Sequence, residues 1–200
     1  MLIVRELSLG PLRFSDLDRA VGGAPTDVLT KRLRDLEADG IVERREIAQP
    51  APAAVYELTE FGRGLERPML ELARWGLGLQ KAEDVAVLAP SSLANGLRVI
   101  LAPPPDFELT LAVRSGGEAF ELRFANGWIA AQRGAPAKPD LTLAGTSLEV
   151  IGTLVAGEAA GLGTEIEGDR AALEQLSGMV EVPDRMREEA LELLQAPSPS

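Results

Sequence analysis

The chain has 200 residues and contains neither cysteine nor histidine. Without cysteine there are no disulfides, thiol nucleophiles or thiolate metal sites, which fits a cytoplasmic protein. Without histidine the commonest general base and metal ligand are missing, and so are Ser-His-Asp and Cys-His arrangements. Carboxylates are plentiful, but no Asp/Glu pair stands out for acid–base work. The sequence therefore argues against an enzyme and calls for no metal or cofactor. Long hydrophobic runs are also lacking, since every apolar stretch is interrupted well short of the roughly 18 residues of a membrane span. Met1–Leu9 carries Arg5 and Glu6 and no cleavage-like small-residue site, so no signal peptide is expected. Positive charge is scarce as well: 20 Lys/Arg face 31 Asp/Glu, for a net charge of −11. The deficit is uneven. Residues 1–80 hold 11 bases and 13 acids, residues 81–200 hold 9 and 18. An acidic chain is repelled by nucleic acid on average, so any DNA contact must rest on a local basic surface, and only the first half offers one.

Leu2, Ile3, Val4, Leu7 and Leu9 read as the end of a helix stopped by Gly10-Pro11. Ser15 is expected to cap a short helix running through Val21. Gly22–Pro25 makes a turn, and Thr26 is expected to cap a longer helix through Asp39, with Gly40 just past its end. Leu29, Leu33 and Leu36 form its buried stripe at i, i+4 and i+7. Asp27, Lys31 and Arg34 lie opposite, Thr30 flanks them, and Arg32 falls nearer the stripe, where it is expected to pair with a carboxylate such as Glu37 or to pack its stem. Two cations and a hydroxyl near a helix N-terminus suit the major groove, though a solvated face would use the same residues. Ile41–Ile47 and Val55–Leu58 then read as strands around the Pro/Ala loop Ala48–Ala54. Helix, turn, helix and hairpin together form a winged helix-turn-helix. Arg44 and Arg45 at the base of the wing, and Gln49 at its tip, are candidate DNA contacts. Thr59 is expected to cap a last helix through Leu79, kinked at Pro68 and lined by Phe61, Leu65, Met69, Leu72, Trp75 and Leu79. That stripe exceeds what one small core can bury and points to a dimer.

Three stretches carry a family resemblance. They are Leu2–Leu7 with Gly10-Pro11 and Arg13–Leu17; Val28–Glu37 with Gly40–Val42; and Tyr56–Gly62. In this order and spacing, residues 1–76 resemble the HxlR-type winged-helix regulators. The resemblance implies transcriptional regulation by a dimer that reads double-stranded DNA with the Asp27–Asp39 helix. Ser15, Thr26, Asp27, Thr30, Lys31, Arg34, Arg44, Arg45 and Gln49 are the DNA-binding candidates. Members of that family usually start further upstream, so Met1 falls within their first helix.

Residues 81–89 read as a linker, 90–195 as a second domain and 196–200 as a disordered tail. Ser91–Leu101 is expected to be helical. Phe107, Leu109, Leu111 and Val113 alternate with polar residues, and after Gly116-Gly117 so do Phe120, Leu122 and Phe124. Asn126-Gly127 is a strong hairpin signal, leading into a strand through Arg133, with a fourth at Asp140–Leu143. This pattern predicts an antiparallel sheet with one apolar face, covered by helices. One helix carries Leu148, Ile151, Leu154 and Val155, another follows Asp169, and a last runs from Pro183 to Leu194. Asp140–Leu143 and Ile166–Asp169 leading into Ala172-Leu173 resemble the sterol carrier protein type-two fold, which implies an apolar cavity. Phe107, Leu111, Phe120, Leu122, Phe124, Trp128, Ile151, Leu154 and Val155 are the pocket candidates. A filled core would use the same residues.

The sequence thus predicts an α+β protein: an N-terminal winged helix-turn-helix joined to a sterol-carrier-like antiparallel sheet covered by helices. Its expected role is dimeric transcriptional regulation, sensing an apolar small molecule. The alternative is a lipid-binding module whose winged helix serves protein contacts.

Overall fold

The computed structural model describes residues 1–22, 25–47, 53–79, 88–156 and 163–195, and the chain divides into two compact units, Met1–Glu71 and Leu72–Ser200. Gln49, most of the 81–89 segment and the 196–200 tail lie outside the described residues.

The first unit runs α1 (Leu2–Leu7), β1 (Leu12–Arg13), α2 (Phe14–Ala20), α3 (Thr26–Ala38), β2 (Val42–Ile47), β3 (Ala53–Leu58), α4 (Glu60–Arg63) and the first half of α5 (Glu66–Gly76), whose second half, with the 3₁₀ turn at Leu77–Leu79, belongs to the second unit. Its strands form an antiparallel sheet of order β1-β3-β2, with Leu12 opposite Tyr56 and Val42 opposite Leu58. Val4, Leu7, Leu12, Leu17, Leu29, Leu33, Val42 and Leu58 make one buried cluster, with Leu36, Tyr56 and Met69 packed against it. Burying each such side chain stabilises the unit by roughly 1.5–3 kcal/mol before entropy is counted.

Helix boundaries depart from expectation where a neighbouring element sets them. Ser15 is not a cap: α2 begins one residue earlier, because Arg13 is the extended end of β1, paired with Val55. Thr26 is likewise the first residue of α3, since Pro25 occupies the cap position and its carbonyl takes the first helical bonds from Val28 and Leu29. Nor does Pro68 kink a long helix. The helix capped by Thr59 stops at Arg63, Leu65 accepts the first bond of α5 from Met69, and Pro68 is the third residue of that new helix. In a first turn proline's missing N–H costs nothing.

The second unit runs α6 (Pro90–Ile100), β4 (Leu109–Ser115), β5 (Glu118–Ala125), β6 (Trp128–Arg133), β7 (Leu141–Ala144), α7 (Ser147–Ala156), β8 (Glu165–Gly168), α8 (Arg170–Gly178) and α9 (Asp184–Gln195). Both anticipated turns are present, with positive φ at Gly116 and Gly117 and at Asn126 and Gly127. The sheet has the order β6-β5-β4-β7-β8 and is mixed rather than antiparallel, because β7 pairs parallel with β4, Leu111 beside Leu141. The physical reason is a crossover. β6 ends at the far edge, and residues 134–140 carry the chain back to the open side of β4, where the Asp140 amide donates to the Thr110 carbonyl. Leu109, Leu111, Val113, Phe120, Leu122, Phe124, Leu141 and Leu143 fill the apolar face. Thr146 and Glu149 exchange bonds as a capping box at the start of α7, and Asp169 caps α8 through the Ala171 amide. The buried side of α7 is turned from the one anticipated: Val150, Gly152, Thr153 and Leu154 are buried, while Leu148, Ile151 and Val155 are half-exposed.

Candidate nucleic-acid interface

Helix α3 is fixed at both ends and along one side. At its C-terminus Gly40 adopts φ +68°, its amide donates to Glu37, and the Ile41 amide donates to Leu36. This pair of bonds ends the helix and turns the chain into β2. Leu29 and Leu33 are buried and Leu36 half-buried, so the stripe read from the sequence seats the helix on the core. Asp27, Lys31 and Arg34 are exposed on the opposite side. The Thr30 hydroxyl donates back to the Thr26 carbonyl at 2.7 Å, so its proton is already committed.

The ion pairs of this unit separate the available cations from the occupied ones. Arg32 does not reach Glu37 or the stripe; it is exposed and lies 3.8 Å from Asp35. Arg19 pairs with Asp16 at 3.6 Å and Arg44 with Glu46 at 3.6 Å. Arg45 makes a two-pronged contact with Glu57, its Nη2 donating to Oε2 at 3.1 Å. Among the described residues Lys31 and Arg34 form no such pair.

In the wing, alternation along β2 sends Arg44 and Arg45 to opposite faces of the hairpin, Arg44 beside Tyr56 and Arg45 beside Val55. The hydrogen bond from Arg45 holds the Glu57 carboxyl below the usual carboxylate range against the opposing effect of burial, with Coulombic help from Arg45 and Arg63. The pair fixes the direction of the Arg45 guanidinium. Ser15 is exposed on the second residue of α2. The sequence reading missed two residues of this surface. Val28 is 45% exposed, an apolar side chain off the stripe, and the helical wheel could have flagged it. Glu57 gives no local signal, because its partner stands 12 residues away across the hairpin.

In the second unit, Leu111, Phe120, Leu122, Phe124 and Leu154 are fully buried together. Phe107 is half-buried and meets Phe124 edge-on at 5.6 Å. Trp128 pairs with Ala125, one step from the Phe124–Ile129 pair, which places it on the other face of the sheet. Its ring packs under the Arg98 guanidinium at 5.3 Å. A cavity of about 720 Å³ opens elsewhere, between the β4–β5 turn and the first residues of α6 and α7. Pro90, Arg114, Ser115, Thr146 and Glu149 line it, and none of the nine pocket candidates does.

Comparison with known proteins gives a consistent picture for the first unit. The sequence profile of HxlR-like helix-turn-helix proteins matches residues 1–84. The HTH-type transcriptional regulator YybR of Bacillus subtilis is 45% identical over 67 residues, covering 34% of this chain and 54% of that protein. YvaP of the same organism, also an HTH-type transcriptional regulator, is 35% identical over 74 residues, covering 37% of this chain and 68% of its own length. Among solved structures, the redox regulator HypR in its reduced form is 40% identical, covers 38% of this chain and 74% of that one, and has a TM-score of 0.35. The chain spans 54% and 60% of the length of YybR and YtcD, two of these curated relatives.

Proposed function

Since the chain belongs to the HxlR-like helix-turn-helix family through residues 1–84, we propose that it is a dimeric, DNA-binding transcriptional regulator whose second unit senses an apolar small molecule. One observation carries the DNA-binding part: Lys31 and Arg34 stand exposed on the outward face of α3 and, among the described residues, without an ion pair, while Arg19, Arg32, Arg44 and Arg45 are each tied to a carboxylate. A cation with no partner in the free protein gives up no existing contact when it meets a guanine edge or a phosphate. A helix whose N-terminal half projects from a rigid core can present such side chains to the major groove.

The dimer rests on α5 and its flanks. Leu72, Trp75 and Leu79 are 52%, 72% and 74% exposed, an apolar row that favours a second copy of the chain over water. The sensing role rests on the resemblance to the sterol carrier protein type-two fold. The succession of three meander strands, a returning strand, a helix and a short strand capped into α8 is compatible with it.

A mobility-shift assay of the full chain on its own promoter region tests the central reading. Retarded complexes that Lys31→Ala and Arg34→Ala weaken at fixed salt are expected. A wild-type chain that retards no promoter fragment overturns it. Saturable binding of a fluorescent fatty acid to the full chain is the expected result for the sensing role, and the absence of saturation defeats it.

A further inference from the structure

The outward face of α3 carries an acid where a DNA-reading surface would be thought to want only bases. Asp27 stands one helical turn before Lys31, and both are exposed. No hydrogen bond or ion pair ties the Asp27 carboxylate to another described residue. Val28 beside it is 45% exposed. Thr30 has spent its proton on Thr26, and Arg32 is drawn to Asp35. Beside Thr26 at the first residue of the helix, the side chains left to meet a base edge are Asp27, Val28, Lys31 and Arg34.

An anionic side chain in the major groove is selective by exclusion. Guanine presents the acceptors O6 and N7, and thymine presents O4, so both repel a carboxylate. Adenine offers one donor with the N7 acceptor beside it, and the second carboxylate oxygen meets that acceptor. Cytosine offers the N4 donor alone. A C·G pair thus sets a donor for Asp27 beside acceptors for a cation, and residues four apart on a helix are separated by about 5–6 Å at Cβ, a span that lets Lys31 reach the guanine of the pair. Val28, turned about 100° from Asp27, has only methyl groups to offer, and the thymine C5-methyl is the one apolar group on the groove floor.

Resting on the reading of α3 as the DNA-reading helix, we propose that Asp27 and Val28 set the sequence preference of this regulator: Asp27 requires a cytosine whose paired guanine faces Lys31, and Val28 favours a thymine at the adjoining pair. The test is selection of bound duplexes from a random-sequence pool by the full chain, as wild type, Asp27→Asn and Val28→Ser, at one fixed salt concentration. Both variants are expected to fold, since both positions are exposed. The wild type should enrich a motif with an invariant C·G pair beside a thymine. Asparagine pairs with the N6/N7 edge of adenine. Asp27→Asn should therefore replace that cytosine by adenine, leave the other positions as they were, and bind the original motif about tenfold or more weakly. Val28→Ser should lose the thymine preference only. An unchanged motif for Asp27→Asn overturns the assignment of Asp27, and an unchanged thymine for Val28→Ser overturns that of Val28. A wild-type chain that enriches no motif defeats the DNA-binding reading itself, an outcome distinct from either.

Discussion

Gly62 is buried where the first turn of α4 lies against the backbone of Ile41, and a Cβ at this position would collide with the Ile41 carbonyl. The same carbonyl accepts from the Thr59 amide, the Thr59 hydroxyl caps the turn by accepting from the Gly62 amide at 2.9 Å, and that hydroxyl donates to the Gly40 carbonyl at 2.6 Å, so three hydrogen bonds pin the chain there. Gly62→Ala should lower stability by about 3 kcal/mol, at the upper end of overpacking costs, and a denaturant midpoint measures it. A wild-type midpoint would show that the backbone yields. The Arg45–Glu57 pair makes a different prediction. Because the folded-state pKa of Glu57 is lowered, its contribution is present above the ordinary value of about 4.3 and is lost as pH falls through the lowered one. Glu57→Gln should lower the melting temperature modestly at neutral pH and converge with the wild type below about pH 4.5, so that the acid limb flattens. Side chains of this kind were only partly legible in the sequence. The cations of α3 could be placed by helical periodicity alone. Their ion pairs could not, because Arg32 chose the carboxylate three residues on rather than five, and Arg45 found its partner across a hairpin.

Element by element, α3 was readable because every signal agreed: a leucine stripe at 3.6-residue spacing, a proline before the first turn and a glycine where the chain must turn with positive φ. The α4–α5 region was misread because one residue admits two roles. Proline interrupts a helix that is already running, yet suits the first turn of one that is starting, and the sequence alone does not say which applies at Pro68. The break at Gly64 and Leu65 leaves Leu70 buried, and Leu72 and Trp75 outside. If that exposed row is a dimer seam, Leu72→Glu with Trp75→Glu should give a monomer by sedimentation at micromolar concentration, with a folded circular-dichroism spectrum and weakened operator binding. A double variant that remains a dimer places the seam elsewhere. The wing belongs to the same level of argument. Arg44→Ala should weaken binding to all sequences alike and reduce the salt dependence, since its exposed 3.6 Å pair with Glu46 is weak enough to be exchanged for a phosphate contact, which carries no base information. A change of sequence preference in that variant would mean that the hairpin reads bases.

Across the whole molecule, the winged helix and the three meander strands were legible because their pairings are local and their turns carry Gly-Gly and Asn-Gly. The parallel contact of β4 with β7 was not, because nothing in Leu141–Leu143 tells which strand it will lie beside. Alternation gives a face but not a neighbour. Trp128 shows a related limit: it opens β6 directly after a turn, and its face depends on register with Ala125. No described helix is long and apolar enough to cross a membrane. The crossover also has a consequence in time. The β4–β5 and β5–β6 hairpins close over two-residue turns, whereas Leu111 must wait for Leu141, 30 residues on, before the sheet gains its fourth strand. Closing that loop costs entropy that no local contact repays, so the meander should assemble first and β7 dock onto a preformed edge. Refolding followed by Trp128 fluorescence in a Trp75→Phe background should register the order: Gly127→Ala, at φ +69°, slows folding, while Leu143→Ala, worth about 2–5 kcal/mol, mainly hastens unfolding. The β7–β8 pair that joins last is also the first to leave, and the edge it uncovers on β4 is where this unit would begin to come apart.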